Sequence, residues 1–387
     1  MKTQHSRGVC PEEYLTAIGK DPARVIYFDI ETTGFRASSS QLYMIGWALR
    51  ETASPAGSNT HPGWEVTQLL AESRSEERSL LEQFALALQR CDTIIAFNGD
   101  RFDLPYLKEK YAIHHMSDPF EGIEAVDLYR EIRPCRSLLG LKALNQKSVE
   151  QFLSISRKDP FSGGELIDVY RSVRSHTASD PEDAAGKLYL HNREDVLGML
   201  AMTPLLAYPM MFTSESPVHF SITDPAGLLV ETDSFFSADA PFPLSFEAFY
   251  DIPVPFPRDV EADCAAYRLL AHGNRVHVTI PLCTATLYHF FPNYRDYYYL
   301  PHEDTAVHKS VGHFVDPAYR KNATARTCYV KKEGVFLPQV REMFTPSFKS
   351  SYQDSLLWFE AGKALTLDPD AFSAYIRSLV LAASSAQ

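Results

Sequence analysis

Residues 28–34 read FDIETTG, an apolar run that ends in two carboxylates, Asp29 and Glu31, one residue apart. Alternate residues of a strand share a face, so both acids point the same way at the carboxyl end of that strand, where open α/β sheets place ligands. Thr32-Thr33-Gly34 then turns the chain, and the glycine allows close backbone approach to a bound group. Alone, the stretch supports a metal site or a turn. Another acid, Asp103, stands in FNGDRFDLPYL (97–107), where a strand ends, the chain turns at Asn98-Gly99 and a helix begins with Pro105 in its first turn. In isolation Asp103 reads as a helix N-cap, and Asn98 as a turn residue. In HNREDVLGML (191–200), His191 and Asp195 are four apart on one helix face. In isolation they read as a surface pair.

The hydrophobic pattern supplies the elements that must position these residues. Residues 25–30 form a short apolar run rich in β-branched and aromatic types, a buried strand. Residues 41–50 (QLYMIGWALR) and 64–71 (WEVTQLLA) predict two more strands, joined by the turn-rich loop ETASPAGSNTHPG. Ser75 is placed to cap a helix through ERSLLEQFALALQR. TIIAF (93–97) reads as a fourth strand, 104–115 as a helix and 123–128 as a fifth strand. Helical patterns then run to about residue 206, clearest in SGGELIDVYRSV and KLYLHNREDVLGMLAM. Three strands, then helix, strand, helix, strand and helices make an α/β layout around a mixed sheet. That order resembles the RNase H-like fold. Beyond residue 206 prolines multiply and short alternating runs appear, such as 276–280. They predict a second, smaller α+β domain over 206–387, closed by a helix in DAFSAYIRSLVLAA.

Bulk properties agree with this division. At 387 residues the chain exceeds what one core usually supports. The net charge of −12 argues against a broad basic nucleic-acid surface, but not against an enzyme that meets phosphate through bound metal. The six cysteines are scattered without a C-x-x-C pair and read as reduced thiols. MKTQHSRGVCPEE lacks the apolar core of a signal peptide, and no run reads as long enough to span a membrane, so a cytoplasmic location is expected.

Taken together, Asp-x-Glu ending the first strand, an Asp after F-N-G and an Asp on a late helix resemble the DEDD superfamily of 3′–5′ exonucleases. The matching motifs are FDIETTG, AFNGDRFDLPYL and HNREDV, and the resemblance covers roughly residues 20–205. LKALNQKSVEQFLSISRKDPFSGGELIDVY narrows it to the RNase H-like exonuclease domain of little-characterised bacterial proteins. The resemblance implies a mixed five-stranded sheet flanked by helices. It makes Asp29, Glu31, Asp103 and Asp195 the metal-binding carboxylates, and a single-stranded DNA or RNA 3′ end the substrate. Two divalent ions, Mg2+ or Mn2+, suit such oxygen ligands and cancel the repulsion among four acids. In two-metal chemistry they clamp the attacking and leaving oxygens.

The general base follows from position. The histidine branch of the superfamily places a His five residues before the final Asp, and the tyrosine branch a Tyr four before it. Here His191 holds the tyrosine spacing, and Leu190 stands where the histidine branch has its base. Tyr189 fits neither spacing. One residue of helix is a rotation of about 100°, so His191 is the expected base with a geometry of its own. Thr32 and Phe102 are expected against the terminal nucleotide, Phe102 by sequence-tolerant stacking.

In the second half, Tyr297, Tyr298 and Tyr299 beside Arg295 could form a stacking platform, with Arg320, Lys321, Arg326, Lys331 and Lys332 as a phosphate track. Alternate rings entering a small core is the simpler reading. His302, Glu303, Asp304, His308 and His313 match no metal-ligand spacing. The leading expectation is a metal-dependent 3′–5′ exonuclease. The competing ones are a catalytically weak or inactive nucleic-acid-binding module on the same fold, and an endonuclease.

Overall fold

The structure is a computed structural model that describes residues 1–52, 63–223, 229, 244–364 and 366–384. Most of the expected loop ETASPAGSNTHPG lies outside the described residues. The chain forms two compact units, Met1–Met210 with Pro253–Arg258, and Met211–Ile252 with Asp259–Gln387.

In the first unit, six strands form one sheet: β1 (Lys2–Gly8), β2 (Val25–Thr32), β3 (Leu42–Arg50), β4 (Trp64–Leu70), β5 (Thr93–Ala96) and β6 (Glu124–Asp127). Their order is β1-β4-β3-β2-β5-β6. The first four pair antiparallel, while β2, β5 and β6 run parallel. Strands β2 to β6 are the five expected from sequence. β1 is an addition: KTQHSRG has no apolar alternation and is largely exposed, yet it pairs with β4 along its whole length.

Among the described residues, the helices that accompany the sheet include α1 (Glu13–Ala17), α2 (Glu77–Leu88), α3 (Asp103–Ile113), α4 (Leu128–Ile132), α5 (Gln146–Phe152), α6 (Gly163–Arg174) and α7 (Pro181–Met202). Ser75 does not cap α2. It lies in a short turn, Arg74–Glu76, with its hydroxyl 2.8 Å from that of Ser73, and α2 starts without a side-chain cap. Glu77, the first residue of α2, instead turns inward and accepts from the Leu42 N–H and from Lys110.

Strand β2 is buried on both faces, which is why its sequence is an almost unbroken apolar run. Ile26, Phe28 and Ile30 pack with Phe84 and Leu88 of α2 and Leu107 and Tyr111 of α3. On the other face Tyr43, Met44 and Leu70 meet Leu166 and Tyr170 of α6 and Leu188 of α7. By alternation, Asp29 and Glu31 point to this second face, toward α7.

The helical run Pro181–Thr213 is, by length and composition, apolar enough to cross a membrane, which corrects the expectation that no run would be. Its apolar window is 67% buried inside the protein. Leu188, Val196, Met199 and Leu200 belong to the core.

The second unit is rich in antiparallel strands. His219–Thr223, Ser245–Asp251, Arg275–Pro281, Arg268–His272 and Val260–Asp263 form a five-stranded sheet in that spatial order. Among the described residues it also holds two three-stranded sheets and the helix Pro369–Ala383. Tyr297 stacks on Phe291 with ring centroids 4.6 Å apart, within a small core around Cys328. The Arg320 guanidinium lies over the Tyr298 ring, Lys331 pairs with Asp304 and Lys332 with Glu360. These residues are thus engaged locally, as the simpler reading had it. All six cysteines are free thiols.

Candidate active site

At the carboxyl end of β2, helix α7 crosses the sheet close enough for its side chains to reach the strand's acids. Asn192 Nδ2 donates to Asp29 Oδ2 at 2.9 Å, and Gln68 Nε2 donates to Asn192 Oδ1 at 2.9 Å, which fixes the amide's orientation. The close approach depends on Gly46, which sits opposite Asp29 on β3. A Cβ there would lie 2.0 Å from Asn192 Oδ1.

On the same helix His191 is buried, not on the surface. Its Nε2 lies 3.5 Å from Glu31 Oε1 and 3.4 Å from Asp195 Oδ2. These three donor atoms all fall within 4.8 Å of one another. The Tyr43 hydroxyl donates to the other oxygen of Glu31 at 3.4 Å.

Asp103 is the first residue of α3 and is buried, but it does not cap the helix. The preceding turn is held by Asp127, whose carboxylate accepts from the N–H groups of Asn98 (2.7 Å) and Asp100 (3.1 Å). Asn98 occupies the left-handed region at φ 64°, as a turn residue. Relieved of capping, the Asp103 carboxyl joins the electrostatics of the other acids.

Those electrostatics show a gathered set. Burial first, then the charges of Asp195, Glu31 and Asp103, raise Asp29 far above the ordinary carboxylate range, against the pull of Asn192. Asp29 nevertheless keeps a solvent-accessible edge. Burial and Asp195 raise Glu31 in the same way, with Asp103 and Asp159 adding and Tyr43 opposing. Asp103 is pushed up to about 7, by burial above all, with Asp127 and Asp195 adding and its own and the Ile30 backbone N–H groups opposing. Acids crowded without a counter-cation must behave so. The donor set, carboxylates with one imidazole, fits a divalent cation that accepts oxygen and nitrogen ligands.

Several residues escaped the sequence reading. Asp159, with its side chain fully buried, receives His191 Nδ1 at 2.6 Å. The Phe161 amide, His191 and Arg157 outweigh the effect of its burial and hold its carboxyl below the usual range. Arg157 places one guanidinium nitrogen 2.7 Å from Asp195 Oδ1 and the other 3.2 Å from Asp159 Oδ2. Phe35, next after Gly34, is 91% exposed, with its ring centroid 5.9 Å from that of Phe102 in an edge arrangement. The sequence carried no signal for it, because a phenylalanine after a turn ordinarily packs inward and only its exposure marks it out.

Phe102 packs against the sheet core on one side and meets Phe35 on the other. The Thr32 hydroxyl is engaged within the turn, donating to the Gly34 carbonyl at 2.9 Å. Tyr189 packs with the α6–α7 core, its hydroxyl without a hydrogen-bond partner among the described residues. It makes no bond to the acids.

Residues 26–207, a span that contains all four acids and His191, match the family model described as RNase_H superfamily. No curated protein matches the chain. Among solved structures, the family B DNA polymerase from the hyperthermophilic archaeon Pyrobaculum calidifontis is similar over 50% of this chain at 18% identity, with a TM-score of 0.37. The match spans 26% of that polymerase chain.

Proposed function

Starting from the RNase H-like nuclease fold that residues 26–207 carry, we propose that this protein is a metal-dependent 3′–5′ exonuclease acting on single-stranded DNA or RNA ends. One observation carries the reading: Asp29, Glu31, Asp103 and Asp195 share one electrostatic site with His191, and three of them are raised by burial and by one another. Such crowding costs stability in the absence of a cation and is relieved by one. Two divalent ions, Mg2+ or Mn2+, would be held by the four carboxylates and, when bound, supply electrostatic stabilisation of the charge that develops on the phosphoryl oxygens.

The chain's own residues account for the rest. Phe35 and Phe102 offer an aromatic surface for the last bases of a strand, a sequence-tolerant contact. A water oxygen bonds to phosphorus as the bond from phosphorus to the 3′ oxygen breaks, releasing a nucleoside monophosphate, and the departing 3′ oxygen takes a proton from solvent. His191 Nε2, oriented toward Glu31 and Asp195, takes the water's proton.

A second role for His191 has a specific observation in its favour. Nε2 stands with Glu31 Oε1 and Asp195 Oδ2 in one group of three donors, the arrangement of a ligand. His191→Gln separates the two. A base leaves metal affinity intact and takes kcat with it, whereas a ligand weakens metal binding itself.

The decisive test is digestion of matched 5′-labelled DNA and RNA oligonucleotides with Mg2+ or Mn2+, wild type against Asp29→Ala. Progressive shortening that a chelator and Asp29→Ala both abolish is expected. Intact substrates with both metals would refute the enzyme reading, and end-binding without trimming would leave a binding module. Opening of a circular single strand would make the protein an endonuclease.

A further inference from the structure

His191 has two ring nitrogens, and only one faces the acids of the site. The other, Nδ1, lies 2.6 Å from Asp159 Oδ2. Around the Asp159 carboxylate stand the Phe161 N–H at 3.0 Å, Arg157 at 3.2 Å and the Lys147 ammonium at 3.8 Å, all donors. A carboxylate so surrounded is an acceptor only. The hydrogen between it and the ring therefore belongs to Nδ1, so in the neutral ring Nε2 is the nitrogen that carries the lone pair, and it faces Glu31 and Asp195. We propose that Asp159 is a positioning residue that holds His191 in this tautomer, and that Arg157 braces it against Asp195. The inference rests on the reading of His191 and Asp195 as site residues and adds what sets their orientation.

The segment that carries the pair is fixed from both sides. Glu194 Oε2 on α7 accepts from the Lys158 and Asp159 N–H groups at 2.8 and 2.7 Å, so the helix holds the backbone that holds its histidine. Arg157 engages Asp195 at Oδ1, while Oδ2 lies 3.4 Å from His191 Nε2. Its guanidinium also meets Glu150 of α5 at 3.3 Å. Gln146 of the same helix donates to the Asp195 carbonyl at 2.9 Å. Gly198 makes this proximity of α5 and α7 feasible, because a Cβ there would lie 2.2 Å from Glu150 Oε1. A histidine whose far nitrogen is held by a carboxylate has its ring orientation and its near nitrogen's direction fixed.

Long-range 1H–15N spectra of the full chain, labelled at histidine and kept in chelator at mildly alkaline pH, read the tautomer directly. The His191 signals are those lost in His191→Gln. Wild type is expected to show Nδ1 protonated and Nε2 bare, and Asp159→Ala to shift His191 toward the Nε2–H form that the free histidine side chain prefers. A protonated Nε2 in wild type, in a neutral ring or an imidazolium, overturns the proposal even if Asp159→Ala does not fold. In the trimming assay Asp159→Ala should lower kcat about 10–100-fold with KM little changed, and Arg157→Lys, which keeps the charge, should lose less than Arg157→Gln. Wild-type kcat in a folded Asp159→Ala also overturns it. A bare Nε2 in a protein that trims nothing supports the tautomer assignment and sinks the exonuclease reading instead, so the two failures are distinct.

Discussion

Replacing Asp103 with Asn should make the metal-free protein more resistant to rising pH. In the folded chain the Asp103 carboxyl is pushed up to about 7, chiefly by burial, against about 3.9 for an unfolded Asp. Between those values the folded state keeps a proton that the unfolded state has released. The difference in bound protons, unfolded minus native, is negative there, so stability falls as pH rises. The contribution is fully present below about pH 4 and lost through pH 7. From pH 5 to pH 8 the loss is on the order of 3 kcal/mol, about two units at 1.36 kcal/mol each. At 8% exposure solvent screening does not reduce it much. For a unit of this size that corresponds to roughly 6–12 °C in Tm. Asn keeps the shape and removes the charge. Asp29 and Glu31 titrate in the same sense and remain in both proteins, and because the Asp103 charge also raises them, the difference between wild type and variant reads Asp103 together with its coupling to those two acids. The assay is thermal unfolding followed by circular dichroism, in chelator, at unit steps from pH 5 to pH 8. Wild type should lose Tm across the window and Asp103→Asn should lose several degrees less, ending as the more stable protein. Saturating Mn2+ should reverse that order at pH 8, because the ion stabilises the protein that binds it better. A wild-type curve that stays flat or rises in chelator, or one the variant follows in parallel, would refute the reasoning.

Gly46→Ala puts a methyl where Asn192 Oδ1 now lies, 2.0 Å from the new carbon. It should cost about 1–3 kcal/mol by overpacking, read by urea denaturation, and uncouple Asn192 from Asp29, so that metal affinity falls as well. Phe35→Ala should leave Tm nearly unchanged, because the ring is 91% exposed. Its effect should appear in single-strand affinity by fluorescence anisotropy, roughly 5- to 150-fold weaker if one base stacks there. Equal affinity would remove Phe35 from the substrate path.

The strands and helices that hold the site were legible in the sequence because their periodicity is strong. The acid pair on β2 was legible because carboxylates are rare in a buried, otherwise apolar strand. β1 was not, because its pairing with β4 is a ladder of backbone bonds that leaves no pattern in KTQHSRG. Asp103 misled as a cap because the local rule found the helix start correctly, while the turn before it is served by Asp127, distant in sequence. Spacing showed that His191 and Asp195 share a face of α7 but not where the face points. Asn192 and Val196, each one residue further on and fully buried, settle that only through tertiary packing. Arg157 and Asp159 sit in a stretch without periodicity, and their partners lie on a helix more than thirty residues away.

The sheet of the first unit ends in β1 on one side and in the four-residue β6 on the other. Along β1, Lys2, His5 and Arg7 pair with Glu72, Glu65 and Glu51. Each such surface pair adds little to stability. Together they line the rim with charge that an incoming strand would have to strip of water, and the short β6 offers few free backbone groups to extend from. A net charge of −12 repels other copies at longer range. Resistance to edge-to-edge association at high concentration is therefore set at the borders of the sheet, by residues that take no part in the chemistry at its centre.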